Sequence, residues 1–406
     1  MKFWELMRFM IKKYIKKIRS FKLISYLYYH IYLEGIFLLE ELIYKKQKNN
    51  TNKIVVDNFA GKGFGDNPKY IVEALLKKKP NLDIVWEVSD MALPMPHGVR
   101  KVKYRSFKAY KELLTAKVWI DNIKTSSKPQ KKENQFYLQT WHAGLGLKAS
   151  EQQIEDDLSK QYVKMARRDA SMTNLMLSDS EWTTDIYKNY FWYNGPIAKT
   201  GFPRNDLLVN QQKNIKEKVY SFFKINKTNR IVMYAPTFRD NSSNFDIYKF
   251  DFLRILNILK EKFNSDYVLL IRLHPNISNN TDIYKFNSRF VNAGQYPDMQ
   301  ELILASDILI TDYSSCMFDA MIAKKKVFLL AKDLTCFEKK DRKLLFNIKS
   351  DVPFTFSNNE DELITNIRKY NEVKYNKQIA FFESKVNLFE DGHAAERVAD
   401  IILDKL

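Results

Sequence analysis

The feature that most constrains this chain is an alternation of short apolar strands with helical segments, repeated in two separate runs. In the first run we predict strands at residues 54–56, 83–88, 118–120 and 135–140 and helices at 70–78 and 106–115. Asn67 is the predicted cap of the first of these helices, with Pro68 at its first helical position. In the second run we predict strands at 230–234, 267–272, 308–311 and 326–330 and helices at 247–263, 299–305 and 315–323. Strands that alternate with helices form parallel sheets covered on both faces. The sequence therefore predicts an α/β protein with two doubly wound domains.

Length and cysteine usage agree with two intracellular domains that follow an extension. A chain of 406 residues is longer than one ordinary domain. We divide it into an extension at 1–50, a first domain at 51–205 and a second domain at 206–406. The two cysteines, Cys316 and Cys336, are too few for a disulfide framework or a metal quartet. They indicate a reducing, cytoplasmic location, and we predict no bound metal or cofactor.

The net charge of +18 predicts an anionic partner, such as a phosphate, an acidic lipid or an anionic polymer. The alternative is a solvated basic surface, because many of the lysines are scattered over predicted helices. The chain has neither the aromatic signature of an RNA-recognition motif nor zinc-finger spacing. We therefore predict that it does not bind nucleic acid.

Residues 3–21 have the spacing of a basic amphipathic helix. Apolar side chains recur at intervals of three and four residues, at Phe3, Trp4, Met7, Met10, Ile11, Tyr14, Ile15 and Ile18. Cations stand at other positions, among them Lys12, Lys13, Lys16, Lys17 and Arg19. Such a helix can lie in an anionic membrane interface, and the alternative is a helical hairpin packed on the body of the protein. The next apolar run, 23–43, is interrupted by charged and polar residues, so we predict neither a transmembrane helix nor a signal peptide.

Four polar segments follow predicted strands directly, at residues 140–148, 235–240, 273–275 and 312–315. Ligands of open parallel sheets bind beyond the carboxyl ends of the strands, so these segments are candidates for the site. Ser314 and Ser315 stand at a helix start with free N–H groups, which suits a phosphate. His142 and His274 occupy matching places in the two runs. One could act as a general base and the other could neutralise a phosphate, although a lone histidine is more often structural.

These segments belong to a longer, ordered set of motifs. The set comprises Asp66-Asn67-Pro68-Lys69-Tyr70, Trp141-His142, Leu147-Lys148, Gly201-Phe202-Pro203-Arg204-Asn205-Asp206, Tyr234-Ala235-Pro236-Thr237-Phe238-Arg239-Asp240, Arg272-Leu273-His274-Pro275, Asp312-Tyr313-Ser314-Ser315 with Phe318-Asp319, and Asp391-Gly392-His393-Ala394-Ala395-Glu396-Arg397. Spread over residues 55–400, it resembles the CDP-glycerol glycerophosphotransferase family of teichoic acid and capsule synthesis. One departure is Ala143-Gly144-Leu145-Gly146, where many members have Gly-Thr-Pro after the histidine. This variant looks more like capsule-cluster members and leaves the acceptor open.

The resemblance implies a GT-B architecture, in which two Rossmann-like domains face a cleft, with the acceptor at the first domain and the CDP-alcohol at the second. It also implies that an acceptor hydroxyl attacks the β-phosphorus and that CMP leaves. His142 and His274 would be catalytic, with His142 as the base and His274 at the pyrophosphate. The implied donor-side residues are Arg272, Thr237, Arg239, Asp240, Asp312, Ser314, Ser315 and Asp319. The implied acceptor-side residues are Trp141, Gly144, Lys148, Asp66 and Asn67.

The predicted function is transfer of glycerol phosphate, or a related polyol phosphate, from CDP-glycerol or another CDP-polyol. The acceptor is a lipid-linked saccharide or a polyol-phosphate polymer, and the enzyme is a peripheral protein at the cytoplasmic face of the membrane. The alternatives are a glycosyltransferase of the same fold that uses a nucleotide sugar, and a basic scaffold without catalysis. Three local alternatives stay open. Asp312 is a helix cap or a metal ligand. Residues 201–206 are an interdomain hinge, in which Asp206 caps the following helix, or a donor contact, and residues 391–397 are a helix start with Asp391 near the cap or a donor contact. The pattern leaves the oligomeric state open.

Overall fold

The structure, a computed structural model, describes residues 42–44, 46–125, 128–239, 245–274, 284–340 and 343–406. The predicted amphipathic helix at 3–21 and most of the 1–50 extension lie outside these residues, and so does Asp240. Across the described ranges, no helix is both long enough and apolar enough to cross a membrane.

The first sheet has seven parallel strands. They are β1 (Asn50–Val56), β2 (Asp83–Val88), β3 (Val99–Lys103), β4 (Ala116–Asp121), β5 (Phe136–Gln139), β6 (Leu175–Ser178) and β7 (Ile197–Lys199). The helices between them are α1 (Asp66–Lys78), α2 (Phe107–Thr115), α3 (Lys160–Met172) and α4 (Glu181–Tyr190), with a 3-10 helix at Glu151–Asp157. The strand order is β3-β2-β1-β4-β5-β6-β7. The direction of winding therefore reverses between β1 and β4, where a crevice opens at the carboxyl ends of the strands.

The second sheet has six parallel strands and the same kind of reversal. They are β8 (Arg230–Ala235), β9 (Tyr267–Ile271), β10 (Phe290–Asn292), β11 (Ile308–Thr311), β12 (Lys326–Leu330) and β13 (Thr355–Ser357). The helices are α5 (Asp206–Val209), α6 (Lys213–Phe223), α7 (Phe252–Phe263), α8 (Met299–Ala305), α9 (Cys316–Ile322), α10 (Leu334–Lys340), α11 (Glu360–Lys369), α12 (Glu372–Val386) and α13 (Ala394–Leu403), with 3-10 helices at Pro203–Asn205 and Phe245–Tyr248. The order is β10-β9-β8-β11-β12-β13. Its crevice lies between β8 and β11.

The two parallel sheets confirm the predicted α/β class with two Rossmann-like domains. The central strands are apolar on both faces because helices cover both sides. Ile54 and Val56 of β1 pack with Ile71 and Leu75 of α1. Val55 points to the opposite face and packs with Trp119 of β4. Continuous apolar strands of this kind are typical of buried parallel sheets.

Some element boundaries differ from the prediction because single side chains decide where a helix begins. The predicted helix 247–263 begins only at Phe252, because the Asp251 carboxylate accepts the Arg254 N–H at 3.0 Å as an N-cap. The first long helix was predicted to start with Asn67 as its cap. It begins at Asp66 after Gly65, so Asn67 lies inside the first turn and its side chain is free for distant contacts.

The last helix returns to the first sheet. Val398, Ala399 and Ile402 of α13 join the core formed by Ile54 and its neighbours. The Asp206 carboxylate caps α13 by accepting the N–H groups of Ala394 at 2.9 Å and Ala395 at 2.7 Å. The sequence predicted that Asp206 would cap the helix that follows it, and this was wrong. The C-terminal helix therefore ties the second half of the chain to the first domain. The predicted domain boundary at 205/206 stays a prediction.

A buried ion cluster also joins the two domains. Lys69 Nζ of α1 lies 2.7 Å from Asp298 Oδ2 and 3.2 Å from Glu301 Oε1. The Tyr70 hydroxyl donates to the same Asp298 oxygen at 2.8 Å. Because buried charges require partners, these contacts fix α1 against the start of α8. The contacts thereby hold the two domains against each other at this point.

Candidate active site

A cleft of about 600 Å³ is lined by the loops that follow β5 in the first domain and β8, β9 and β11 in the second. It gathers these predicted site residues: Trp141, His142, Gly144, Lys148, Thr237, Arg272, His274, Ser314 and Ser315. Tyr313 and Phe337 also line it. The structure therefore brings predicted residues of both domains to one cavity, at the carboxyl ends of both sheets. Asp66, Asn67, Arg239, Asp312 and Asp319 are absent from the described lining of this cleft.

The turn that carries His142 has an unusual backbone. Trp141 has a φ of +54°, in the left-handed region, where a bulky residue costs about 1–3 kcal/mol. Two side chains hold this conformation in place. Gln139 Oε1 accepts the Trp141 N–H at 3.0 Å, and Asn67 Nδ2 donates to the Trp141 carbonyl at 3.2 Å. The turn places the Trp141 and His142 rings 4.4 Å apart, centroid to centroid.

The tautomer of His142 follows from its hydrogen bond. The ring nitrogen Nδ1 lies 2.8 Å from the Asn122 carbonyl oxygen. A carbonyl only accepts, so Nδ1 carries the hydrogen and Nε2 is left to accept a proton. Burial, the largest influence, lowers the pKa of His142 below its ordinary value of 6.5. The imidazole is therefore neutral at pH 7, which is the form that a general base requires.

Gly144 is needed because its backbone lies against a buried carboxylate. A Cβ at this position would lie 1.8 Å from Asp179 Oδ2 and 2.7 Å from the Phe202 ring. The same Asp179 oxygen accepts the Leu145 N–H at 3.1 Å. Glycine allows this close approach. Gly144 thus shapes the wall of the cleft through its backbone.

The side chain of Arg204 joins three of the predicted residues behind the cleft, and its backbone joins a fourth. Its Nη1 donates to Asp66 Oδ2 at 2.9 Å and to the His142 carbonyl at 2.7 Å, and its Nη2 donates to Asp319 Oδ1 at 3.3 Å. Its backbone N–H donates to Asn67 Oδ1 at 3.2 Å. The sequence identified residues 201–206 only as a hinge or a donor contact. These bonds cross 62 to 138 residues of sequence, so no local pattern could have revealed them.

Asp312 and Arg239 pair with each other behind the second-domain wall. Arg239 Nη1 lies 2.8 Å from Asp312 Oδ2, and Arg239 Nε lies 2.9 Å from Asp333 Oδ2. Asp312 Oδ1 accepts the Thr237 N–H at 2.8 Å. The residue that caps α9 is Ser315, so Asp312 is not that cap. Asp333 was missed because an isolated aspartate after a strand carries no distinctive sequence signal.

The Arg239–Asp312 pair lies against two aromatic side chains that line the cleft, Tyr313 and Phe337. The Arg239 guanidinium lies 4.7 Å from the Tyr313 ring centroid and 5.0 Å from that of Phe337. The Tyr313 and Phe337 rings stack 4.1 Å apart. Lys148 Nζ lies 5.3 Å from the same Phe337 ring. Cations over aromatic faces are attracted by the ring quadrupole, so Arg239 and Lys148 together fix the position of Phe337.

Several groups in the second-domain wall suit an anionic ligand. The Thr237 hydroxyl is buried and has no protein hydrogen-bond partner among the described residues. His274 is exposed, and its ring stacks on Phe238 at 5.8 Å. Arg272 Nη1 donates to three carbonyls, those of residues 293, 294 and 296, so this nitrogen also organises the loop after β10. Ser314 and Ser315 add two hydroxyls at the start of α9.

Within the ranges that the structure describes, no three His, Cys, Asp or Glu side chains come together in a way that could hold a metal ion.

Curated relatives match most of the chain. It is 31% identical over 376 residues to the teichoic acid poly(glycerol phosphate) polymerase of Staphylococcus epidermidis. The alignment covers 90% of this chain and 52% of that protein. It is 28% identical over 382 residues to the teichoic acid glycerol-phosphate transferase of Staphylococcus aureus, covering 90% and 97%. The chain thus spans about half the length of the first relative and nearly all of the second.

Solved structures of teichoic acid polymerases also resemble this chain. An asparagine-for-histidine variant of the wall teichoic acid polymerase TagF superposes with a TM-score of 0.81 at 29% identity, covering 95% of this chain and 98% of that one. A putative UDP-N-acetylglucosamine 2-epimerase of Listeria monocytogenes, at 15% identity and a TM-score of 0.51, shares the fold alone. The family model described as CDP-Glycerol:Poly(glycerophosphate) glycerophosphotransferase matches residues 39–404. The chain therefore belongs to the CDP-glycerol:poly(glycerophosphate) glycerophosphotransferase family.

Proposed function

We propose that this protein transfers glycerol phosphate from CDP-glycerol to a hydroxyl of a teichoic-acid-type acceptor and releases CMP. The observation that carries the proposal is the shared cleft, in which His142 of the first domain faces the same cavity as Thr237 and Ser314 of the second. Membership of the family supports CDP-glycerol as the donor. A variant of TagF, the structural relative, has also been solved after a soak with CDPG.

The chemical step is a displacement at the β-phosphorus of the donor. The acceptor oxygen attacks this phosphorus while its proton passes to Nε2 of His142. The bond from the β-phosphorus to the oxygen that bridges the two phosphorus atoms breaks, and CMP leaves with that oxygen. Positioning and charge stabilisation supply most of the catalysis in phosphoryl transfer. A neutral imidazole whose Nδ1 is fixed by Asn122 suits the role of base.

The donor diphosphate lies against the second-domain wall in this proposal. The Thr237, Ser314 and Ser315 hydroxyls donate to phosphate oxygens, and His274 and Arg272 offset the negative charge. Support comes from the buried Thr237 hydroxyl, which lines the cleft without a described protein partner. Because α9 has only seven residues, its dipole is short, and the hydroxyl groups matter more than the helix terminus.

Other predicted donor-side residues act from behind the wall. Arg239 and Asp312 hold Thr237, since Arg239 Nη1 also donates to the Thr237 carbonyl at 2.6 Å. Asp319 acts through its pairing with Arg204. Asp240 keeps its predicted donor role, outside the described residues.

The acceptor approaches the first-domain wall. Trp141, Gly144 and Lys148 line that side of the cleft. Asp66 and Asn67 support it indirectly, because Asn67 holds the Trp141 carbonyl.

We further propose that the basic helix predicted at 3–21 attaches the protein to the cytoplasmic leaflet, where a polyprenyl-linked acceptor lies. The apolar spacing and the cations of that segment support this attachment.

A donor screen tests the proposed function. The purified protein is incubated with CDP-glycerol, CDP-ribitol or a nucleotide sugar, each with and without a lipid-linked saccharide acceptor. We expect CMP release from CDP-glycerol that depends on the acceptor. Acceptor-dependent turnover of a nucleotide sugar, with every CDP-polyol left intact, would show the glycosyltransferase alternative to be correct.

A further inference from the structure

Arg204 lies where the two domains meet, behind His142. Its side chain is 7% exposed and bridges Asp66 of the first domain to Asp319 of the second. The same guanidinium donates to the His142 carbonyl at 2.7 Å. A guanidinium presents its donors in a rigid planar fork. The side chain therefore couples the positions of three groups that are distant in sequence.

The backbone around His142 is held on both sides by this arrangement. Asn67 Nδ2 donates to the Trp141 carbonyl, and Arg204 Nη1 donates to the next carbonyl, that of His142. Asn67 Oδ1 in turn accepts the Arg204 N–H at 3.2 Å. The strained turn at Trp141 is thus fixed by two consecutive carbonyls. Loss of the Arg204 bond would release the carbonyl that belongs to the proposed base.

The second-domain end of the bridge is also fixed. The Asp319 carboxylate accepts a hydrogen bond from Gln300 Nε2 at 3.1 Å. Asp319 lies on α9, the helix that follows Ser314 and Ser315. A displacement of α9 relative to the first sheet would therefore pull on Arg204, and through it on the peptide of His142.

We propose that Arg204 is a positioning residue, which holds the peptide of His142 and joins it to the domain that binds the donor. This inference rests on the proposed function of His142 as the base. A misplacement of about 1 Å can cost on the order of 10²-fold in rate. Arg204 therefore acts on turnover through His142, while the hydroxyl groups that meet the donor stay in place.

The pKa of His142 gives a second way to test this role, because several charged groups face its ring. Asp66 and Glu151 raise the pKa of His142, whereas Arg204 lowers it, and burial has the largest effect. Glu151 is itself paired with Lys124 at 2.6 Å. Removing the Arg204 charge leaves Asp66 uncompensated, so the pKa of His142 should rise. Removing the Asp66 charge leaves Arg204 uncompensated, so that pKa should fall.

The test compares Arg204→Lys, Arg204→Gln and Asp66→Asn in the full chain. The control is Arg100→Lys, because Arg100 also bridges two carboxylates, Asp83 at 2.6 Å and Glu112 at 2.7 Å, away from the cleft. For each folded variant we measure acceptor-dependent CMP release, CDP-glycerol affinity by calorimetry and the melting temperature. The pKa of His142 comes from NMR of ¹³C-labelled histidine, assigned with His142→Gln.

We expect Arg204→Lys to lower kcat by about 10²-fold with unchanged donor affinity, and Arg100→Lys to behave like the wild-type protein. We expect the pKa of His142 to rise in Arg204→Gln and to fall in Asp66→Asn. If Arg204→Gln fails to fold because two buried carboxylates lose their partner, Arg204→Lys and Asp66→Asn still decide the question.

Wild-type kcat in folded Arg204→Lys would overturn the inference, and so would shifts of the pKa of His142 in the same direction in Arg204→Gln and Asp66→Asn. Failure of the proposed function looks different. In that case the wild-type protein releases no CMP, while the NMR titration of His142 still reports whether Arg204 and Asp66 control its ring.

Discussion

Replacing Gly144 with alanine tests the claim that the His142 turn must lie directly against Asp179. The added methyl group would lie 1.8 Å from Asp179 Oδ2, far inside van der Waals contact. Asp179 is buried and accepts the Leu145 N–H at 3.1 Å and the Ser180 hydroxyl at 3.0 Å, so it cannot swing away freely. The turn must shift instead. Overpacking of this kind costs about 1–3 kcal/mol of stability, and a shift of about 1 Å at His142 costs roughly 10²-fold in turnover.

Gly146→Ala is the matched control, because it adds the same methyl group two residues further along. There the nearest described atom would be the Gly144 carbonyl oxygen at 3.6 Å, an ordinary contact. The assays are thermal melting and acceptor-dependent CMP release. We expect Gly144→Ala to melt at a lower temperature than the wild-type protein and to lose turnover, while Gly146→Ala melts like the wild type. If both variants melt and turn over alike, the close approach to Asp179 has no functional consequence and the reasoning fails.

Four further predictions concern the two histidines, the pH dependence, the donor and the membrane. His142→Ala and His274→Ala should each lower turnover by at least about 10²-fold without unfolding, and near-normal rates in both would remove the catalytic assignment. Because burial lowers the pKa of His142 below 6.5, the acidic limb of the pH–rate profile should have its midpoint below pH 6.5, and a midpoint above that value would contradict the base role. Ser314→Ala and Arg272→Lys should weaken CDP-glycerol binding more than acceptor binding, and unchanged calorimetry would refute this. Reversing the charge of four lysines of the predicted helix should release the protein from anionic vesicles, at about 1 kcal/mol per lysine, and cosedimentation that survives both this change and deletion of residues 1–22 would exclude the helix as the anchor. The four are Lys12, Lys13, Lys16 and Lys17.

The sheets were predictable because buried parallel strands are continuous apolar runs. Strands β2, β11 and β12 have the predicted bounds, and helix α8 does too. The helix starts were harder to predict, since a cap is only one of several polar side chains near the start of a helix. Asn67 stands before a proline, as a cap often does, yet its amide holds the Trp141 carbonyl. Asp206 likewise caps α13, a helix 188 residues further along the chain.

The candidate site was predictable as a set of loops, because the carboxyl ends of parallel strands gather polar residues at one edge. What the sequence could not show is which residues face the cavity and which stand behind it. Arg239 and Asp312 look like ligand contacts in sequence, but they neutralise each other at 2.8 Å. The role of Arg204 could not be predicted either, because its partners Asp66 and Asp319 lie in different domains.

The identity of the nucleotide released from CDP-glycerol, in the presence of a lipid-linked saccharide acceptor, tests the central claim most directly. Attack on the β-phosphorus breaks its bond to the bridging oxygen, so the nucleotide product is CMP and glycerol phosphate remains on the acceptor. Transfer of glycerol alone would leave CDP, and a nucleotide-sugar enzyme would leave CDP-glycerol intact. We predict CMP, with phosphate gained by the acceptor in equal amount. Release of CDP, or CDP-glycerol left unconsumed, would contradict the account.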